Sequence, residues 1–466
     1  MKKLLYLFVS LALLGLGSCS DDDDDITLQD ITVNFASTEV GIDKDNSSEE
    51  VAINLSRKSN ADIDVTIKLT ASDVVYGTDF TTTPAAADNT IKVSIPAGNT
   101  TASFTVSKVE DALFEGTETV KFEITALSVT SGVKIGDKKE ATLTFGAILS
   151  NGGTQTLEGK SGDVAYANSV YVDFSSNTQV AINRKNWDLG FYCGDDFRVV
   201  LNPAFATTAT ASTKTDITAV TIEDANAAID IAATPMSDDG LSINVIDSFD
   251  GALTGTVFAA VSATESENKV YFVASEDNKT SRGQWYKVKV TRNGTGYKVQ
   301  YAKVSETTIK TVEVSKNADN NFTFLSLTTG TVVSVEPAAK KWDIMWSYYV
   351  GSTMGKPYFM QDMVITNNVG GAEAVEVLTS TVTYDNFKAA NLTGLEFSKA
   401  RNVIANNWRV TANMGGATGA IGIKADRFYV VKDPNGNYYK LRFLRMGLNN
   451  DGGERGRPVV EYELLK

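Results

Sequence analysis

The side chains most able to do chemistry are concentrated in one stretch of this 466-residue chain. Met345, Met354, Met360 and Met363 fall within nineteen positions, although the whole chain holds only eight methionines. Thioether sulfur is a soft donor that suits reduced iron better than oxidised iron; the same side chain also fills irregular cores and adaptable binding surfaces. Histidine is absent altogether. That removes Ser-His-Asp and Cys-His nucleophile systems, the His-x-x-x-His metalloproteases and the commonest metal ligand. Carboxylate, lysine or tyrosine chemistry stays open, but no stretch pairs a nucleophile with a base, so the chain reads as a binding protein and not an enzyme. The two cysteines are Cys19 and Cys193. With Cys19 in a processing segment, Cys193 stands alone, which excludes an internal disulfide and a Cys-based zinc site.

The methionines follow a strand that is written twice. Residues 340–351 read KKWDIMWSYYVG, and residues 185–196 read KNWDLGFYCGDD, with the tryptophans 155 positions apart. In an ideal strand Trp342, Ile344 and Trp346 share one face and Asp343, Met345 and Ser347 the other. In the first copy Trp187, Leu189, Phe191 and Cys193 are set against Asp188, Gly190 and Tyr192. Such aromatic strands pack a core, and they can also hold a sugar ring by stacking.

The elements around these strands are β. Residues 31–148 carry clear alternation in DVTIKLT, TIKVSI, ASFTVS and TVKFEIT, which predicts an antiparallel sandwich. Residues 150–306 and 307–466 read as two copies of a second unit. Each opens with a strand pair (171–182 and 322–335), continues into the tryptophan strand and closes with a hairpin. The hairpins turn at Asn293-Gly294 and at Pro434-Asn435-Gly436, where glycine supplies positive φ. The best helix candidate is 386–407, interrupted by Gly394. The fold class is therefore all-β with a short helix. The net charge of −14 argues against nucleic acid, whose phosphates need a basic surface.

The N-terminus is processing signal. Lys2 and Lys3 precede the apolar run LLYLFVSLALLGLG, too short for a spanning helix with flanks. Leu16-Gly17-Ser18-Cys19 resembles a bacterial lipobox, which implies signal peptide 1–18, lipidation of Cys19 and an acyl anchor. The SDDDDD run inside the tether 19–30 is a solvated, self-repelling spacer. It resembles the acidic export tag of surface lipoproteins in Bacteroides-like bacteria, which implies an outer-membrane protein facing outward.

Two family resemblances follow from the quoted motifs. YGTDF (76–80), IKVSIPAGNTTASFTV (91–106) and VEDALFEGTETVKFEI (109–124) resemble the Calx-β domain. That family implies a Ca²⁺ site of clustered carboxylates, here Asp79, Glu110, Asp111, Glu115 and Glu118, because a hard cation takes several oxygen ligands. The closing acidic motif of the family is missing: ATLTFGAIL (141–149) stands in its place, and the alternative is a spacer with a solvated acidic end.

NWDLGFY…FRVVLN (186–202) and KWDIMWSYY…MVITNN (341–368) resemble the HmuY family of all-β, outer-membrane-anchored haem-binding lipoproteins. The resemblance covers about two thirds of the chain as two tandem copies. It implies capture of haem, from host haemoproteins in some cases, for delivery to a TonB-dependent receptor. The chain departs from the family at the iron ligands. The histidine five residues after the tryptophan is replaced by Tyr192 in copy one and Ser347 in copy two. The haem-ligand candidates are accordingly Met345, Met354, Met360, Met363 and Tyr192, with Trp342, Trp346, Tyr348 and Trp187 as pocket wall. The alternative is an adhesion or glycan-binding surface protein that keeps the fold without the ligands.

Overall fold

A computed structural model describes residues 29–235, 240–353, 355–411, 421–448 and 451–466. Cys19, most of the acidic tether and Met354 lie outside the described residues. The chain divides into a unit ending at Ala147 and a unit spanning Ile148–Lys466.

The first unit is a sandwich of two five-stranded sheets. In Ile63–Ser72 the residues Ile63, Val65, Ile67 and Leu69 are buried and alternate with wetter neighbours, as period two requires. Phe104 of one sheet meets Phe122 of the other at 4.9 Å, edge to face, and Phe114 stacks on Phe145 at 4.4 Å. Each such side chain contributes about 1.5–3 kcal/mol through burial.

The second unit is assembled from shared sheets. The strand Ile344–Thr353 pairs with Asn168–Asp173, in the order 178–183, 168–173, 344–353, 356–366. Reciprocally, Leu189–Tyr192 pairs with Phe322–Ser326, in the order 199–201, 189–192, 322–326, 331–333. Each tryptophan strand is therefore laid beside the opening strand pair of the other copy. Strand pairing crosses the sequence boundary at 306 twice more, where Gly152–Thr156 joins Val459–Leu464 and where Gly296–Lys303 joins Lys310–Val314. Both hairpins form as expected, with Gly294 at φ 58° and Gly436 at φ 94°.

The helix expected over 386–407 does not form. Only Ala389–Leu392 makes a 3₁₀ turn, and the one α-helix among the described residues is Ile222–Ala227. Gly394 sits at φ 86°, incompatible with helix, while Phe387, Leu392, Leu395 and Phe397 pack as irregular chain around Phe428. Tertiary burial outweighs a weak helical pattern here.

The face assignment for Trp342 also changes. The strand starts at Ile344, so the alternation does not reach back to Trp342. Ile344 and Trp346 enter one core with Trp408 and Tyr462, whereas Trp342 packs with Met345 in another. Trp187 likewise precedes its strand; it joins the core of Trp342, while Leu189 and Phe191 enter a third.

Candidate functional site

The repeated Trp-Asp pair builds the same frame twice. Asp188 N–H donates to Leu325 O at 2.9 Å, and Asp188 Oδ2 accepts from Leu327 N–H at 2.7 Å. In the other copy Asp343 N–H donates to Val172 O at 2.8 Å, and Asp343 Oδ2 accepts from Phe174 N–H at 2.6 Å. Each aspartate thus clamps the partner copy's opening strand. An asparagine closes each frame. Asn202 Nδ2 donates to the carbonyls of Trp187 and Arg184 at 2.7 and 2.9 Å; Asn367 Nδ2 donates to those of Trp342 and Ala339 at 2.8 and 2.7 Å. Trp187 then meets Phe324 edge to face at 4.7 Å, and Trp342 meets Tyr171 at 5.0 Å. Residues 171, 172 and 174 correspond in role to 324, 325 and 327, so the two copies are related by a pseudo-dyad.

A cavity of about 80 Å³ lies between these paired frames, lined from both copies. Trp187, Phe324, Trp342 and Tyr171 supply its aromatic wall, and Met345, Tyr349, Asn321 and Glu336 are copy-two additions. Glu336 is buried and accepts from Phe322 N–H at 3.0 Å. Burial pushes its carboxyl up to about 8, against the opposing hydrogen bonds from Phe322 and Asn321. Asn321 also donates to Asn367 Oδ1 at 2.9 Å. Burial raises the Tyr171 phenol well above its ordinary range, with the nearby Glu336 and Tyr349 adding to it.

Met345, Met360 and Met363 share one side of the Ile344–Thr353/Lys356–Thr366 ladder. Ser347 pairs with Met363 and Tyr349 with Met360, with a bulge between Ser347 and Tyr349 that buries both Tyr349 and Val350. Met345, Met360 and Met363 all lie in the core that surrounds the cavity. A methyl group placed on Gly351 would lie 3.0 Å from Met360 Cε, 3.9 Å from its Sδ and 3.7 Å from Met363 Cε. The Met360 thioether and the Met363 methyl end therefore meet beside a residue with no side chain. All three methionines are buried, at 3–8% exposure.

The other sequence candidates fall elsewhere. Trp346 is buried in the neighbouring core under Tyr166, at 5.8 Å, and does not line the cavity. Tyr348 lies under the Arg184 guanidinium at 4.7 Å, also off the cavity. Tyr192 ends a strand of the other sheet, with its ring against Phe322 at 5.9 Å. Ser347, which occupies the position of a family ligand, is hydrogen-bonded to Ser169 Oγ at 2.8 Å. Cys193 is half-buried, with Sγ 3.4 Å from Thr323 Oγ1.

In the first unit, two of the five candidate acids are engaged by nearby backbone amides. Glu118 accepts from the amides of Glu115, Gly116 and Thr117 at 2.8–3.0 Å, so its carboxylate closes its own turn. Asp79 caps the Val75 amide at 2.7 Å. Among the described residues no three acidic, cysteine or histidine side chains gather where they could hold a metal ion.

Asn202, Asn367, Tyr171, Tyr349 and Glu336 were not singled out from the sequence. The asparagines end the repeated motifs FRVVLN and MVITN, which was a usable signal. Nothing local marks Glu336 or the tyrosines, because their role depends on the strand exchange.

The family model described as "HmuY protein" matches residues 165–305 and 296–462, which together span well over half of the chain. The chain belongs to the HmuY family. Both matches contain the Trp-Asp strand, so the pseudo-dyad relates two HmuY segments. No curated protein matches the chain. Among solved structures, it is similar to the apo-form Calx CBD1 domain (19% identity, 25% of this chain and 97% of that one, TM-score 0.22). It is also similar to a putative carbohydrate binding protein from Bacteroides ovatus (13% identity, 58% and 67% coverage, TM-score 0.20). A third is the SafA pilin of Salmonella enterica in complex with the SafB chaperone (14% identity, 37% and 90% coverage, TM-score 0.17). No helix among the described residues is long and apolar enough to cross a membrane.

Proposed function

We propose that this HmuY-family protein binds haem or a related porphyrin at the outer face of the outer membrane. It is held there by acyl chains on Cys19 and passes its cargo to a TonB-dependent receptor, with residues 31–148 as a Calx-β-like spacer. The observation that carries this is the convergence of Met360 and Met363 around Gly351, with Met345 in the same core, in a chain without histidine.

The donor chemistry fits the group. Haem would supply an iron that thioether sulfur could ligate, preferentially in the reduced state. Met345, Met360 and Met363 are the residues that would hold it. The cavity itself does not fit a macrocycle: at about 80 Å³ it is smaller than the roughly 150 Å³ cavity that takes benzene. Binding through the sulfurs therefore requires the 344–353/356–366 hairpin to part from the core, exposing Met360 and Met363 while the Trp342 frame stays in place. The apolar lining of that hairpin would then exclude water from the donors.

A haemin titration of residues 20–466 tests this, with spectra of the oxidised and dithionite-reduced forms. A saturable Soret shift with sharp reduced-state bands, weakened in Met360→Leu and Met363→Leu, is the expected result. Leucine conserves volume, so the fold survives while the sulfur goes. Featureless spectra in both states, at haemin levels that saturate a known binder, would rule the proposal out.

A further inference from the structure

The cavity on the pseudo-dyad is too small for a porphyrin, yet it is not a simple packing gap. Tyr171 and Tyr349 are both 5% exposed and line it, and neither hydroxyl has a hydrogen-bond partner among the described residues. A hydroxyl on a cavity wall with no protein partner takes its hydrogen bond from whatever fills the cavity, so the two phenols mark where water or a ligand hydroxyl binds. Trp187, Trp342, Phe322 and Phe324 add aromatic faces to a wall that also holds Met345, Ile365 and polar side chains such as Asn321 and Arg401.

The charged groups near the cavity are already answered. Arg401 Nη2 donates to Ser248 O at 3.0 Å, its Nε to Phe249 O at 3.3 Å, and its guanidinium covers the Tyr349 ring at 5.2 Å. Glu336 is held neutral at pH 7 by burial and accepts from Phe322. The neutral Glu336 offers an ammonium ligand no counter-ion, and the Arg401 guanidinium is held by two carbonyls and the Tyr349 face, so an anion is the competing ligand that the test must exclude. Phenol hydroxyls donate and accept equally well, and their best complement is a group that does both. Flat aromatic walls meanwhile favour a C–H body.

We infer that this cavity is a binding site for a small, uncharged, hydroxylated aliphatic group, a diol edge seated between Tyr171 and Tyr349 against the two tryptophans. The same chemistry is offered by a free small polyol and by the terminal sugar of a glycan inserting one edge. The site exists only where the copies meet, because Tyr171 and Trp187 come from one copy and Tyr349 and Trp342 from the other. It is asymmetric because the register that places Trp342 opposite Trp187 sets Met345 opposite Gly190 and Tyr349 opposite Gly194. It shares Met345 with the haem proposal, but neither Met360 nor Met363 lines it.

The test is ligand-observed saturation-transfer NMR on haem-free residues 20–466, with 1,2-propanediol as the free diol and methyl α-mannoside as the glycan end. Saturable transfer to at least one probe is expected. Tyr171→Phe and Tyr349→Phe, each removing only a hydroxyl, should weaken it about tenfold, the effect of one hydrogen bond. Met360→Leu should leave it unchanged, which separates this outcome from the haem test. Binding of propanediol alone assigns a free polyol, and tighter binding of the mannoside assigns a glycan end. No saturable transfer to either probe, displacement by acetate or tetramethylammonium, or binding that survives loss of both hydroxyls would overturn the inference.

Discussion

Replacing Glu336 by glutamine is expected to flatten the pH dependence of stability of the second unit. The carboxyl lies among Asn321, Phe322 and Tyr171 and is pushed up to about 8 from an ordinary 4.5, chiefly by burial. Between those values the folded protein keeps the proton and the unfolded chain loses it. Stability therefore falls as pH rises from about 4.5, and the loss is complete near 8. A shift of about 3.5 units at about 1.4 kcal/mol per unit sets a ceiling of about 5 kcal/mol. Glutamine keeps the acceptor for the Phe322 amide and mimics the neutral acid, so Glu336→Gln should match wild type at pH 5 and exceed it by roughly 2–5 kcal/mol at pH 9. Urea unfolding followed by tryptophan fluorescence at pH 5, 7 and 9 measures this. All five tryptophans lie beyond residue 148, so the signal reports the second unit alone. Asp247 and Asp362, raised to about 6 and about 7, add slopes of the same sign in both proteins and cancel in the difference. Parallel curves for the two proteins across this range would refute the assignment of a neutral buried acid at 336.

Two further outcomes follow from the duplicated frame. Asn202→Ala and Asn367→Ala should each destabilise the second unit by roughly 1–3 kcal/mol, because each strips one buried and one part-buried carbonyl of a donor. Urea unfolding gives the values, and losses below about 0.5 kcal/mol, the scale of an ordinary surface change, would show that the frames do not hold the tryptophans. A protease site introduced at the exposed residues 305–308 should yield fragments that co-elute under native conditions and part only in denaturant, since four sheet pairings cross that boundary. Separation of the nicked halves on a native sizing column would contradict the strand exchange.

Much of the fold was legible because alternation is a local property. The sandwich strands, both hairpins and the all-β class follow from period two and from glycine at the turns. The misread helix over 386–407 and the misplaced Trp342 share one cause. In both, a periodic pattern was extended past the point where packing, not backbone repeat, decides the path. The methionine cluster was visible as composition, yet Gly351, the residue that lets Met360 and Met363 approach, carried no signal of its own. The five acids of the first unit looked like ligands because their spacing is loop-like; hydrogen bonds to nearby amides give Glu118 and Asp79 another task.

The sequence by itself determined that the chain has no histidine chemistry, that it is built of strands, and that a Trp-Asp strand occurs twice. It could not determine which strand each copy would lie beside. Pairing is non-local: Leu189–Tyr192 and Ile344–Thr353 are each compatible with either opening pair, and only the joint burial of both aromatic faces selects the exchanged arrangement. That choice creates the pseudo-dyad, and with it a cavity lined from both copies, with Tyr171 of one and Tyr349 of the other on its wall.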